Sequence, residues 1–356
     1  MTRKRAIQTG ISAVVVIVIF VVVLPQVADL SEVWSTLAAM TWLEVGTLGL
    51  IAAWNLVTYW ILLMTTLPGL KLGQAMVVTE TSTAVANVLP GGQAFGMALS
   101  YSMYASWGFR RAAIATSLVV SGVGDLFAKL AMPVFAIALL AFYGGSDAAL
   151  KTGAFIALTV LVVSFVVFRV SLSSEQHAHQ VGEALARAFS FILRAVRRPP
   201  VTGWGNSLAN FRTETLRLLH GRWWTVIASS LLSHLSLFLV LLMALRHVGV
   251  SEEEVAGPEA LGAFAFVRLL SALPVTPGGL GVIELGLTAA LAVAGGPRDQ
   301  VLAAVLAFRA LTYLIQIPFG ALTYLYWQHS SRWRSPSVEQ PAPGARTPAA
   351  RGETGV

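Results

Sequence analysis

The chain contains no cysteine. Disulfides, thiolate metal sites and cysteine nucleophiles are therefore excluded. Charge is scarce as well: 12% of residues are charged, against roughly 25% in an average soluble domain. With 56% hydrophobic residues and a mean hydropathy of +0.73, there is too little polar surface to cover a water-soluble fold. Familiar catalytic strings are missing too, with no P-loop, no Gly-x-Ser-x-Gly elbow and no His-Glu-x-x-His. The histidines form no metal set: His177 and His179 fall in a hydrophilic stretch, and His234 stands alone in an apolar one. No metal or other cofactor is implied. The net charge of +7 does not point to nucleic acid, because most basic residues flank apolar runs.

What is present is a series of such runs. About 20 apolar residues cross about 30 Å of hydrocarbon. Six stretches meet that requirement, at residues 6–24, 42–67, 112–143, 149–168, 223–245 and 301–327. Arg3, Lys4 and Arg5 precede the first, and no small-x-small cleavage site follows it. It therefore reads as a retained span rather than a signal peptide. Residues 30–41 are short and mixed, as at a membrane interface.

Two further apolar regions are broken in the middle. Residues 74–89 and 93–107 are joined by Pro90, Gly91 and Gly92; residues 259–273 and 279–294 flank Pro274, Pro277, Gly278 and Gly279. Each piece is short for a crossing. Helix breaks at membrane depth are tolerated only where protein or a water-filled cavity covers them. The expected fold is an all-α polytopic membrane protein with about six full spans and two re-entrant helical hairpins.

Charge supports that topology. With the N-terminus in the cytoplasm and both hairpins returning to their side of entry, cytoplasmic segments carry 18 Lys/Arg and five Asp/Glu. External segments carry three and nine, and three of each sign remain at membrane depth. This is a positive-inside pattern. It puts both termini in the cytoplasm of a multi-pass plasma-membrane protein. The hairpins then enter from opposite sides, so residues 42–143 and 223–327 form inverted repeats, a common transporter plan. One transmembrane domain, 1–328, is expected, followed by a disordered tail, 329–356. Within the cytoplasmic loop 170–222, Leu185, Phe189, Ile192, Leu193 and Val196 share a helical face ringed by Arg187, Arg194, Arg197 and Arg198. That pattern suits a helix on an anionic membrane surface and equally a loop helix packed on the protein.

Chemistry-bearing residues are few. Six ionisable side chains sit in apolar segments: Glu80, Asp125, Lys129, Arg268, Glu284 and Arg309. Each costs roughly 2.5–3.5 kcal/mol at a helix centre, so each should be paired or face water. Asp125 and Lys129, at i,i+4, form an expected structural pair. Arg268 and Glu284 flank the second break, which could bring them together. Arg309 follows, with Tyr313 one turn on. Arginine binds phosphate bidentately, so Arg268 and Arg309 are candidate ligands of a lipid phosphate. Glu284 is a pairing or proton-exchanging group, and Asn87 is placed to bond the first turn. Glu80 is expected near the cytoplasmic mouth. Helix N-termini after the breaks, at Gly92 and Gly279, attract anions.

Residues Pro274, Thr276, Pro277, Gly278, Gly279, Gly281 and Glu284 spell Pro-x-Thr-Pro-Gly-Gly-x-Gly-x-x-Glu. This string resembles the lysylphosphatidylglycerol synthase transmembrane-region family of flippase-like proteins. The surroundings of Arg309 and of Asn87 to Pro90 fit more weakly, and the resemblance extends over about 42–327. It implies binding or movement of a phospholipid or lipid-linked substrate, with anionic or phosphate-bearing lipids, and a lipid-headgroup synthase, as partners. One departure is that residues 93–107 carry no basic side chain, where family members often have one. The family's soluble synthase domain is not seen after Tyr326, so aminoacyl-lipid synthesis by this chain alone is not expected. Two other readings stay open: a membrane-embedded lipid-modifying transferase using Glu284 or Asp125 as base, and a non-transporting partner of a lipid-synthesis enzyme.

Overall fold

A computed structural model describes residues 30–89, 92–142, 173–195, 202–219, 223–271 and 276–330, together with Trp333 and a few single positions between 159 and 170. The described elements are all helical. They are α1 (Leu30–Ala38), α2 (Trp42–Thr66), α3 (Leu72–Val88), α4 (Gly92–Ser106), α5 (Arg111–Phe142), α6 (Glu175–Ala195) and α7 (Trp204–Leu219). Then come α8 (Trp223–His247), α9 (Gly257–Leu270), α10 (Val282–Val293), α11 (Arg298–Arg309) and α12 (Gln316–His329).

Among the described residues, four helices are long and apolar enough to cross a membrane: Trp42–Thr66, Arg111–Leu140, Trp224–His247 and Arg298–His329. The other two expected spans, 6–24 and 149–168, lie outside the described residues apart from single positions, as do Pro90, Gly91 and Pro274. Boundaries follow local chemistry. Thr41 caps α2 through a reciprocal box, its main-chain N–H donating to Glu44 Oε2 (2.7 Å) while its hydroxyl accepts from the Glu44 N–H. Arg246 closes the end of α8 by donating to the Val250, Ser251 and Val255 carbonyls and pairing with Glu252. Trp42 and Trp224, at the starts of α2 and α8, are exposed, as suits indole rings at a membrane–water boundary.

The interior is held by small and polar contacts. Between helices in lipid the hydrophobic drive is weak, so close packing and hydrogen bonds decide. Along α2 and α8, Asn55 donates to the Ser233 carbonyl (3.0 Å) and Ser236 Oγ (2.7 Å), and Thr58 and Thr65 meet Ser236 and Ser229. α3 lies on α12, joined by Thr81 and Thr323 at 2.9 Å. A Cβ at Gly320 would come 2.3 Å from the Glu80 carbonyl, so only glycine allows that approach. α9 lies on α5. α4 folds back along α3, with Gly92 and Gly96 pressed on the Ala86 and Ser82 carbonyls, and α10 packs with α9.

The last span, expected at 301–327, is not one uniform helix. α11 and α12 are joined by a π turn, Ala310–Leu314, where the Ile315 N–H reaches back to the Ala310 carbonyl. Pro318 lacks an N–H and its ring crowds the carbonyl four residues before it; the wider turn just upstream absorbs that conflict. α5, by contrast, continues through Pro133.

α6 and α7 form a packed pair, with Phe189 stacked on Trp204 at 5.5 Å and Glu183 accepting from the Gly205 N–H. Val196 and the side chains of Ile192 and Leu193 are outside the described set. Trp333, in the segment expected to be a tail, packs edge-on against Trp107 and Tyr326.

Candidate functional site

The second break places its groups by backbone constraint. Pro277–Gly279 forms one 3-10 turn, and Gly278, Gly279 and Gly281 have φ of 57°, 69° and 79°. Side chains rarely adopt that region, so the Gly-Gly-x-Gly spacing is a backbone requirement. The turn delivers the chain into α10 with Glu284 in its first turn. Glu284 is 1% exposed. Its Oε2 accepts from the Gly281 N–H at 2.6 Å, and its Oε1 accepts from Arg309 Nε at 2.6 Å. Arg309 also donates to the Gly278 carbonyl at 3.0 Å, and its guanidinium lies 4.3 Å from the Tyr313 ring centroid.

Tyr313 carries the connection onward. Its hydroxyl donates to the Asn87 carbonyl at 2.8 Å. A Cβ on Gly278 would meet Tyr313 at 2.2 Å and Asn87 Oδ1 at 3.2 Å. Asn87, Gly278, Tyr313, Arg309 and Glu284 are therefore one contact group. The end of α3 touches the second break directly.

The expected neighbourhood of Arg268 and Glu284 is different. Glu284 is taken by Arg309, whereas Arg268 lies within electrostatic reach of Asp125 and beside Tyr59. Asp125 holds Lys129 at 2.6 Å, as the i,i+4 spacing predicts. His234, read in the sequence as a solitary span residue, also belongs there: Nε2 is 3.2 Å from Asp125 Oδ1. Arg268 Nε is buried without a hydrogen-bond partner. Glu80 is fully buried, with Oε1 accepting from Trp60 Nε1 at 2.9 Å and Oε2 unpartnered. His234, Tyr59 and Trp60 escape sequence reasoning because their partners lie on other helices; only the rarity of a polar group in a span marks them.

A polytopic helical membrane protein with intramembrane ion pairs and a glycine-lined break is thus the class defined by fold and site. Residues 10–320 match the family model described as Lysylphosphatidylglycerol synthase TM region. The chain belongs to that family. No curated protein matches it significantly.

Proposed function

We propose that this chain moves a phosphate-bearing lipid between leaflets without altering it chemically, and that Arg268 receives the headgroup. The observation that carries this reading is the buried, unpartnered Nε of Arg268. Arg309 is already engaged by Glu284, Gly278 and Tyr313, so it organises the hairpin tips rather than binding the phosphate. A phosphate oxygen satisfies a guanidinium donor that protein leaves unmet.

Helix packing supports the inverted-repeat reading. Exchanging the two units maps the α2–α8 contact onto itself and α3–α12 onto α9–α5. In this reading α3/α4 and α9/α10 are re-entrant hairpins that meet near the midplane, six spans surround them, and both termini are cytoplasmic. A transferase would need a base with a free edge; both Glu284 oxygens are occupied, and the Asp125 oxygens lie 2.6 Å from Lys129 and 3.2 Å from His234.

The test is leaflet-resolved movement of fluorescent phosphatidylglycerol and phosphatidylcholine in proteoliposomes. Wild type should exceed empty vesicles. Arg268→Gln should slow movement by about tenfold to a hundredfold, the value of a charge-assisted bond of roughly 1.5–3 kcal/mol. Wild type equal to empty vesicles for both lipids overturns the reading.

A further inference from the structure

The cluster around Asp125 holds more than the pair seen in sequence. Asp125 and Lys129 come from α5, His234 from α8, Arg268 from α9 and Tyr59 from α2. The His234 Nδ1 lies 3.0 Å from the Ser230 carbonyl. A carbonyl can only accept, so Nδ1 carries hydrogen. In a neutral ring Nε2 then presents a lone pair, and it faces a carboxylate oxygen at 3.2 Å, close enough for an ion pair but without hydrogen-bond alignment. One added proton turns this repulsive contact into an imidazolium–carboxylate ion pair.

The surroundings give that proton a consequence. His234 is wholly buried, but the Asp125 side chain is 36% exposed. Carboxylates on spanning helices almost always face the bundle interior or a water-filled cavity rather than lipid. Lys129⁺ and Arg268⁺ outnumber Asp125⁻, so the cluster carries one excess positive charge, and a proton on His234 makes it two. An anion beside Arg268 therefore favours the protonated pair, and the protonated pair favours the anion, by the same factor.

We propose that the Asp125–His234 pair is a proton site linked to headgroup binding at Arg268, so that a lipid phosphate and a proton are taken up together. This rests on the assignment of Arg268 as the phosphate ligand. Lys129 and Tyr59 face the same carboxylate and set its background field. If His234 were only a packing residue, its replacement would leave the pH profile unchanged.

The experiment is calorimetric titration of the detergent-solubilised full chain with dihexanoyl-phosphatidylglycerol. It is run between pH 5.5 and 8.5 in buffers of different ionisation enthalpy, with inorganic phosphate as a parallel ligand. Wild type should take up a fraction of a proton, reaching toward one, per lipid bound. Its affinity should fall with rising pH by at most tenfold per unit, the limit for a single linked proton. His234→Asn and Asp125→Asn should bind with no proton uptake and a flat profile. Lipid binding in wild type without proton uptake overturns the inference but leaves lipid binding intact. Uptake retained in a folded His234→Asn overturns the assignment to this pair. No lipid binding at any pH overturns the headgroup reading itself, and tighter binding of inorganic phosphate identifies a free anion as the ligand. Should His234→Asn not fold, His234→Gln replaces it, and the wild-type titration still decides the linkage.

Discussion

Tyr313 donates its phenolic hydrogen to the Asn87 carbonyl at 2.8 Å, across 226 residues of chain. It joins the last span to the end of the first broken helix, and its ring also lies under Arg309. Removing the hydroxyl in Tyr313→Phe should cost about 0.5–1.5 kcal/mol, the net value of one hydrogen bond, and keep the stacking. Tyr313→Ala should cost several times more. Thermal unfolding in detergent measures both, and equal losses would show that the hydroxyl contact carries all of the side chain's contribution.

Gly278 should tolerate no side chain. At φ 57° an alanine is strained by about 1–2 kcal/mol, and its Cβ would overlap Tyr313 at 2.2 Å. Gly278→Ala should therefore unfold at lower temperature than wild type and lose lipid movement. Gly46→Ala is the control, because nothing lies within 4 Å of its Cβ. That change should stabilise α2 by up to about 1 kcal/mol.

Glu284→Gln and Arg309→Met should each destabilise by about 3–5 kcal/mol, since each leaves one charge of a buried pair without its partner. The double variant Glu284→Gln/Arg309→Met should lose less than the sum of the two. Chemical denaturation in micelles gives the coupling; strict additivity would mean that the 2.6 Å contact contributes no pairwise energy.

Trp60→Phe should remove the indole donor from Glu80, leaving the buried carboxyl with no partner on either oxygen. A loss of about 1–3 kcal/mol follows from an unmet buried polar group. Glu80→Met in the same background should recover part of it, read by the same unfolding assay.

The broken helices were legible in sequence to within a few residues, because proline and glycine act locally and leave the same mark wherever they occur. α3 ends two residues before Pro90, α4 begins at Gly92 and α10 begins three residues after Gly279, whereas α9 already ends at Leu270, seven residues before Pro277. The Asp125–Lys129 pair was legible for the same reason, being set by one helical turn. Partner choice was not. Glu284 sits between two arginines in sequence, and only the packing of α11 against α10 selects Arg309. His234 and Asp125 are separated by 109 positions, and neither helix alone indicates the other. Pro318 stands in the last span, but its place in the sequence does not show that the helix widens at 310–314.

That widened turn between α11 and α12 changes the phase of the span. A helix advances about 100° per residue, so the one extra residue of a π turn rotates everything after it by about that angle. The upper half thereby faces α8 and α10 while Gly320 and Thr323 below face α3. One continuous crossing serves two different neighbours as a camshaft does, and a single-residue deletion within 310–314 would retime the lower half and turn the Gly320 notch away from Glu80.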